Sequence, residues 1–285
     1  MAQARFLVAG ELAWYLALDT VVLDNLLTGQ ASAGSWQSGA TGSAFIVAQA
    51  LAQARHQLAI VATVGDDLYG KMLINQLDMA GIDSGLVALQ EGEATSLRCD
   101  INHGKKDSLA IAYASSSKPK IDLDNMAEAP DWLYLAEHCG DLYHISEFLH
   151  QAFLHQARTV LQVSQLAERD VKRFGYLLED VDILVINADV AQKITAKQDL
   201  EQAVRILLND VKTAVIITKK RLFLATGQQL AVLETADIAS ADFTALGAHV
   251  VAYLTRVKQP DLARVLATAW QAISDKKYNL REKSL

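Results

Sequence analysis

The stretch Ala241-Asp242-Phe243-Thr244-Ala245-Leu246-Gly247-Ala248-His249 sets an acidic residue and small residues ahead of the apolar run Val250-Val251-Ala252-Tyr253-Leu254. An acidic cap before an apolar run predicts a helix that begins near Thr244 and continues over Ala245–Val257. The free N–H groups of such a helix start make a site for an anion.

Outward from this helix, strand-like apolar runs alternate with helical patterns, which marks an α/β fold with a mostly parallel sheet between covering helices. Strands are expected at Arg5–Ala9, Gln57–Ala62, Trp132–Ala136, Asp182–Ile186 and Thr213–Thr218. Further helices are expected at Ala44–Arg55, Leu68–Ala80, Ser146–Glu168, Leu200–Asn209 and Pro260–Ser274, with a connector from Gln192 to Leu200. Pro260 suits a first helical turn, where its missing N–H is not needed. Leu12–Leu23 and Ser96–Tyr113 break the alternation with β-type composition around turn residues such as His103-Gly104-Lys105.

At 285 residues, slightly above the size where one core usually stops growing, the chain suits one large domain, 1–285, as well as two small ones, and the single domain is the expectation taken. Apolar residues make up 51% without an unbroken span of membrane length, so no membrane partner is expected. The first ten residues read as a short strand and not as a secretion signal. Two cysteines, Cys99 and Cys139, cannot form a disulfide framework, which suits a cytoplasmic protein. The formal net charge of −7, with basic residues only in short runs, argues against a nucleic-acid partner.

Several motifs in order resemble the ribokinase-like (PfkB) carbohydrate kinases. Asp242 to Ala248 is similar to their D-T-x-G-A-G-D signature. Val64-Gly65-Asp66-Asp67-Leu68-Tyr69-Gly70, followed by Leu77, Gly81, Ile82 and Asp83, resembles G-x-D-x-x-G and then L-x-x-x-G-V-D. Thr41-Gly42-Ser43-Ala44-Phe45-Ile46 resembles G-G-x-x-x-N, and Gly10-Glu11 follows the first strand. The strand ending at Asn187 resembles the one before N-x-x-E, and that ending at Thr218 the one before T-x-G-x-x-G. The resemblance implies a three-layer sandwich with a small β lid, inserted at about 12–38 and 94–113, that often also clasps a homodimer. It also implies ATP and Mg2+ as cofactors, if nucleotide binding or kinase activity is retained.

Phosphoryl transfer needs a positioned acceptor, a cradle for charge and a group to take the hydroxyl proton. The resemblance puts the catalytic base at Ala248, which can take no proton; general-base catalysis contributes typically ~10²–10⁴-fold. His249 is the nearest titratable substitute, but one helical step turns it about 100° away; a surface or core-edge histidine is the plainer reading. For the nucleotide, the resemblance implies Asn187, Thr218, Lys220, Thr244 and Gly247. Yet the glutamate of N-x-x-E falls on Val190, beside Asp189, and glycines fall on Lys220 and Phe223. On the acceptor side it implies Tyr15, Gly42 and Ile46, where Tyr15 replaces an aspartate and Ile46 an asparagine.

Glu137, His138, Cys139, Asp141 and His144 gather metal-ligand types but lack the spacing of a zinc motif, so no metal is expected. Polar chemistry is lost at Tyr15, Ile46, Val190, Lys220 and Ala248, while the turns persist. The chain therefore reads as a non-catalytic family member, a binding, regulatory or hetero-oligomeric subunit. The alternatives are a sugar or nucleoside kinase with a relocated base, or a different enzyme using an apolar pocket formed near Trp14, Tyr15, Phe45 and Ile46.

Overall fold

A computed structural model describes residues 4–20, 35–103, 107–113, 118–121, 123, 126, 128–137, 140–227, 229–235, 238, 243–257, 260–274 and 279–284. Asp242, His138 and Cys139, singled out above, lie outside the described residues.

Short runs of β-branched and other apolar residues build the core of the main sheet. β1 (Arg5–Ala9), β4 (Gln57–Gly65), β5 (Val87–Gln90), β8 (Trp132–Leu135), β9 (Arg158–Val163), β10 (Ile183–Asn187) and β11 (Thr213–Ile217) all run parallel. β12 (Arg221–Thr226), β13 (Gln229–Glu234) and β14 (Asn279–Ser284) then continue the sheet antiparallel. The order is β14-β13-β12-β11-β10-β9-β8-β1-β4-β5. Strands such as β8 and β11 are buried at every residue, as expected where helices cover both faces.

α1 (Ser43–Gln53), α2 (Leu68–Met79), α7 (Phe243–Leu254) and α8 (Leu262–Ile273) share one core with one face of the sheet. α3 (Leu142–Leu154), α4 (Val171–Leu177), α5 (Ala188–Thr195) and α6 (Leu200–Leu207) share a second core on the other face. The result is an α/β three-layer sandwich. A separate four-stranded sheet, in the order β3-β2-β6-β7, comprises β2 (Ala13–Thr20), β3 (Ser35–Thr41), β6 (Ser96–His103) and β7 (Asp107–Tyr113).

The turns that carried the sequence pattern hold their places by packing and hydrogen bonds. Asp67 caps α2: its Oδ1 accepts from Gly70 N at 2.8 Å and Thr95 Oγ1 at 2.7 Å, and its Oδ2 from Thr95 N at 2.8 Å. These bonds outweigh desolvation, the largest opposing effect, and hold the Asp67 carboxyl below its ordinary pKa. Gly70 lies against the backbone of Gly65, so closely that a Cβ would stand 2.1 Å from Gly65 O.

Three expectations are corrected. The helix expected over Ser146–Glu168 is α3 followed by β9: α3 ends at Leu154 with His155 as its C-cap, Gln156 takes φ 56°, and Thr159-Val160-Leu161-Gln162-Val163 enters the sheet. A short, fully buried strand lacks the alternation that would distinguish it from buried helix. The connector expected from Gln192 overlaps α5, which continues to Thr195 and stops where Ala196 turns left-handed at φ 55°. Pro260 precedes the cap and is not in the first turn, because Asp261 caps α8 by accepting from Arg264 N at 3.1 Å. The helix expected to begin near Thr244 does begin there, with Phe243 as its first described residue.

Candidate functional site

In an open parallel sheet, chain leaves the carboxyl ends of the strands on one side, and that crest is where side chains can converge on a ligand. Five strands deliver residues this way: Gly10 and Glu11 after β1, Glu137 beyond β8, Ser164 and Gln165 after β9, Asn187 at the end of β10, and Thr218 after β11. Together with the small sheet they line an open cleft of about 1420 Å³. A smaller cavity of about 240 Å³ adjoins it, with Glu137, Ser164 and Gln165 lining both.

At the centre of the crest, Thr244 in the first turn of α7 donates from Oγ1 to Glu137 Oε2 at 2.7 Å. Glu137 Oε1 is buried and has no hydrogen-bond partner among the described residues. The Glu137 carbonyl accepts from Ser43 Oγ, and Ser43 Oγ accepts from Glu11 N at 3.2 Å. Beneath this chain Tyr134 donates its hydroxyl to Gln162 Oε1. Burial, and second the charge of Glu137, push the Tyr134 phenol well above its ordinary pKa.

The expected anion cradle is rearranged. Gly247 lies inside α7, where its N–H takes part in the helical ladder. A Cβ there would stand 2.7 Å from Val185 Cγ1 and 3.0 Å from Gln162 Nε2, so this glycine serves helix-on-sheet packing. Ala248 is fully buried in the core. His249 is 5% exposed, which corrects the surface or core-edge reading; its ring stacks on Tyr253 at 6.2 Å, and burial lowers its pKa. Neither Ala248 nor His249 lines the cleft. What remains for an anion is the first turn of α7, whose leading N–H groups have no partner within the helix, with Lys219 also on the cleft wall.

Of the residues that the resemblance assigns to a nucleotide, Asn187 lines the cleft while capping α5: its Oδ1 accepts from Val190 N at 2.9 Å and its Nδ2 donates to Ser164 O at 2.6 Å. Val190 is fully buried, and Asp189, on the cleft wall, pairs with Lys193 Nζ at 2.8 Å. Val190 offers no ligand atom and the Asp189 carboxylate is already paired; among the described residues no group of three or more His, Cys, Asp or Glu is placed to hold a metal. Thr218 lines the cleft, but its hydroxyl closes a turn, donating to Arg221 O at 3.0 Å and accepting from Arg221 N at 2.8 Å. Lys220 is exposed and off the cleft wall; its carbonyl accepts from Thr235 N at 2.9 Å.

Tyr15, Gly42 and Ile46, which the resemblance assigns to an acceptor, line the cleft together. Gly42 must be glycine: its φ is 99°, and a Cβ would stand 2.4 Å from Glu11 O. Trp14 and Phe45 are buried in the core, so of the four apolar residues expected near this pocket only Tyr15 and Ile46 reach it. Charged residues not anticipated as site residues also line the cleft, among them Glu11, Arg98, Asp100 and Lys118. In sequence Glu137 reads only as a metal-ligand type; its position just beyond a buried parallel strand is the signal that could have found it.

The profile of the pfkB family carbohydrate kinases matches residues 5–220. Among solved structures the chain is similar to a ribokinase of Arabidopsis thaliana complexed with ribose and ATP, with a TM-score of 0.73, 17% identity and coverage of 94% of this chain and 92% of that one. It is also similar to an adenosine kinase of Sinorhizobium meliloti, with a TM-score of 0.69, 17% identity and the same coverages. A ribokinase of Cryptococcus neoformans in complex with ADP gives a TM-score of 0.71, 16% identity and coverage of 94% and 91%. No curated protein matches the chain. No helix among the described residues is long and apolar enough to cross a membrane.

Proposed function

The chain belongs to the pfkB family of carbohydrate kinases, and from that premise we propose that it binds a small hydroxylated ligand without transferring a phosphoryl group to it, acting as a binding or regulatory subunit. The carrying observation is the depth of Ala248: the residue at the family's base position is fully buried inside α7, while the cleft beside it stays open. A proton acceptor cannot act from the core, and His249 is buried with it. The packing of Gly247 against Val185 and Gln162, and the burial of Val190, support the same reading.

The test pairs two measurements on the purified protein: calorimetric titration with sugars and nucleosides, and ADP release from Mg-ATP in the presence of each. Binding of an acceptor without ADP release above the background hydrolysis is expected. Acceptor-dependent ADP release would overturn the proposal.

One observation favours the kinase reading instead. Glu137 is a carboxylate on the cleft wall, tied to the first turn of α7 by the bond from Thr244. It could take a hydroxyl proton in place of the missing aspartate. If ADP release is seen and Glu137→Gln abolishes it without lowering the melting temperature, this second reading replaces the first.

A further inference from the structure

The small sheet carries a row of four residues, of which the family resemblance gives a place only to Tyr15, where it puts an aspartate. Strand register sets Gly39 of β3 opposite Tyr15 of β2, Tyr15 beside Arg98 of β6, and Arg98 opposite Ala112 of β7. Tyr15, Arg98 and Ala112 all line the cleft, so the row faces the ligand space. Its two ends are small, which leaves the tyrosine ring and the guanidinium as the groups that stand out from it.

Gly39 fixes how the ring lies. A Cβ at Gly39 would stand 3.1 Å from Tyr15 Cε1 and 3.7 Å from both its Cζ and its hydroxyl, so the ring rests across the bare glycine. A tyrosine laid over a cross-strand glycine turns one of its faces outward. Arg98 is held beside it: its Nε contacts both carboxylate oxygens of Asp100 at 3.0 Å. Among the described residues no acceptor is matched to its terminal Nη groups. Both a phenol ring and a guanidinium stack on flat rings, and the guanidinium adds donors in the same plane.

We propose that Tyr15 and Arg98 are specificity-determining residues, and that the ligand at this end is an uncharged heteroaromatic ring bearing a hydroxylated substituent. The ring stacks on Tyr15, Arg98 donates to acceptor atoms at its edge, and the hydroxylated part extends along the crest toward Glu137. At Tyr15 and Ile46 themselves a free polyol would meet a ring and an aliphatic side chain, and its hydroxyl groups would have to bond elsewhere on the wall, at Glu11, Arg98 or Asp100. The inference deepens the ligand-binding reading above and rests on it.

The experiment is calorimetric titration of the full chain with adenosine, uridine and free ribose, repeated on Tyr15→Phe and Tyr15→Ala, with a thermal melt of each variant. Base-on-aromatic stacking predicts that at least one nucleoside binds about tenfold or more tightly than ribose. Tyr15→Phe keeps that preference and Tyr15→Ala removes it at an unchanged melting temperature. Ribose binding as tightly as both nucleosides, neither nucleoside binding up to millimolar concentration, or a preference that survives Tyr15→Ala each overturns the inference. Acceptor-dependent ADP release is a separate readout: it would overturn the non-catalytic reading and leave the ring preference standing.

Discussion

Thr244 and Glu137, separated by 107 positions in sequence, meet in a 2.7 Å hydrogen bond that joins the start of α7 to the crest beyond β8. The other Glu137 oxygen is buried and unpartnered among the described residues, so this bond is the carboxylate's one satisfied contact there. Removing the donor therefore leaves a charged acceptor wholly unpaired. Thr244→Val, which keeps the shape and deletes the hydroxyl, is expected to cost about 1–3 kcal/mol. Thr244→Ser restores the donor and should recover most of the loss, as chemical denaturation would measure.

Restoring the family's aspartate should not restore its chemistry. Ala248 is fully buried, so Ala248→Asp places a carboxylate in an apolar core with no counter-charge. Such an uncompensated charge costs on the order of 3–5 kcal/mol. The expected outcome is a marked fall in melting temperature and no ADP release with any sugar. Sugar-dependent ADP release by this single variant would mean that α7 can rotate its first turns toward the cleft.

The glycines separate by function. Gly70→Ala sets a methyl where only 2.1 Å separates it from the Gly65 carbonyl oxygen, and backbone cannot yield as a side chain can. Overpacking of this kind typically costs about 1–3 kcal/mol or more. Gly247→Ala also meets Val185 Cγ1 at 2.7 Å, but there a side chain can shift, so a smaller loss is expected. Denaturation midpoints of the two variants rank them directly, and ligand affinity should fall in neither by more than the stability change explains.

The order of strands and helices was largely legible because buried parallel strands between amphipathic helices leave a strong alternation, and Asp67 with Gly65 and Gly70 marked a turn whose geometry tolerates few other residues. Helix and strand were confused at 158–163 because burial on both faces erases periodicity there. The site was less legible. Glu137 has no spacing signature and becomes meaningful only when β8 is seen to end below it. Trp14 and Tyr15 look equivalent in sequence, yet neighbouring strand residues face opposite ways, sending one to the core and the other to the cleft. The depth of Ala248 depends on where α7 starts, and helix boundaries are the part of a sequence pattern least constrained by it.

Two buried histidines make stability depend on pH in a defined direction. Burial lowers the pKa of both His56 and His249 below the ordinary 6.5. At His56 the bond to Ala252 O opposes this shift and the charge of Arg256 adds to it, while the ring's other nitrogen, Nδ1, is buried without a partner among the described residues. Because the folded pKa is lower, the unfolded chain binds more protons as pH falls below 6.5, and the unfolded state gains. Stability is thus fully present above 6.5 and declines from there until the folded-state values are passed. Asp67, whose folded pKa lies below the ordinary 3.8, contributes a separate loss only in the far more acidic range. Melting temperatures from pH 8 to pH 5 should therefore bend downward below about 6.5, and His56→Gln with His249→Gln should flatten that bend whatever their effect at pH 8. An undiminished bend in the double variant would assign the acid sensitivity to other groups.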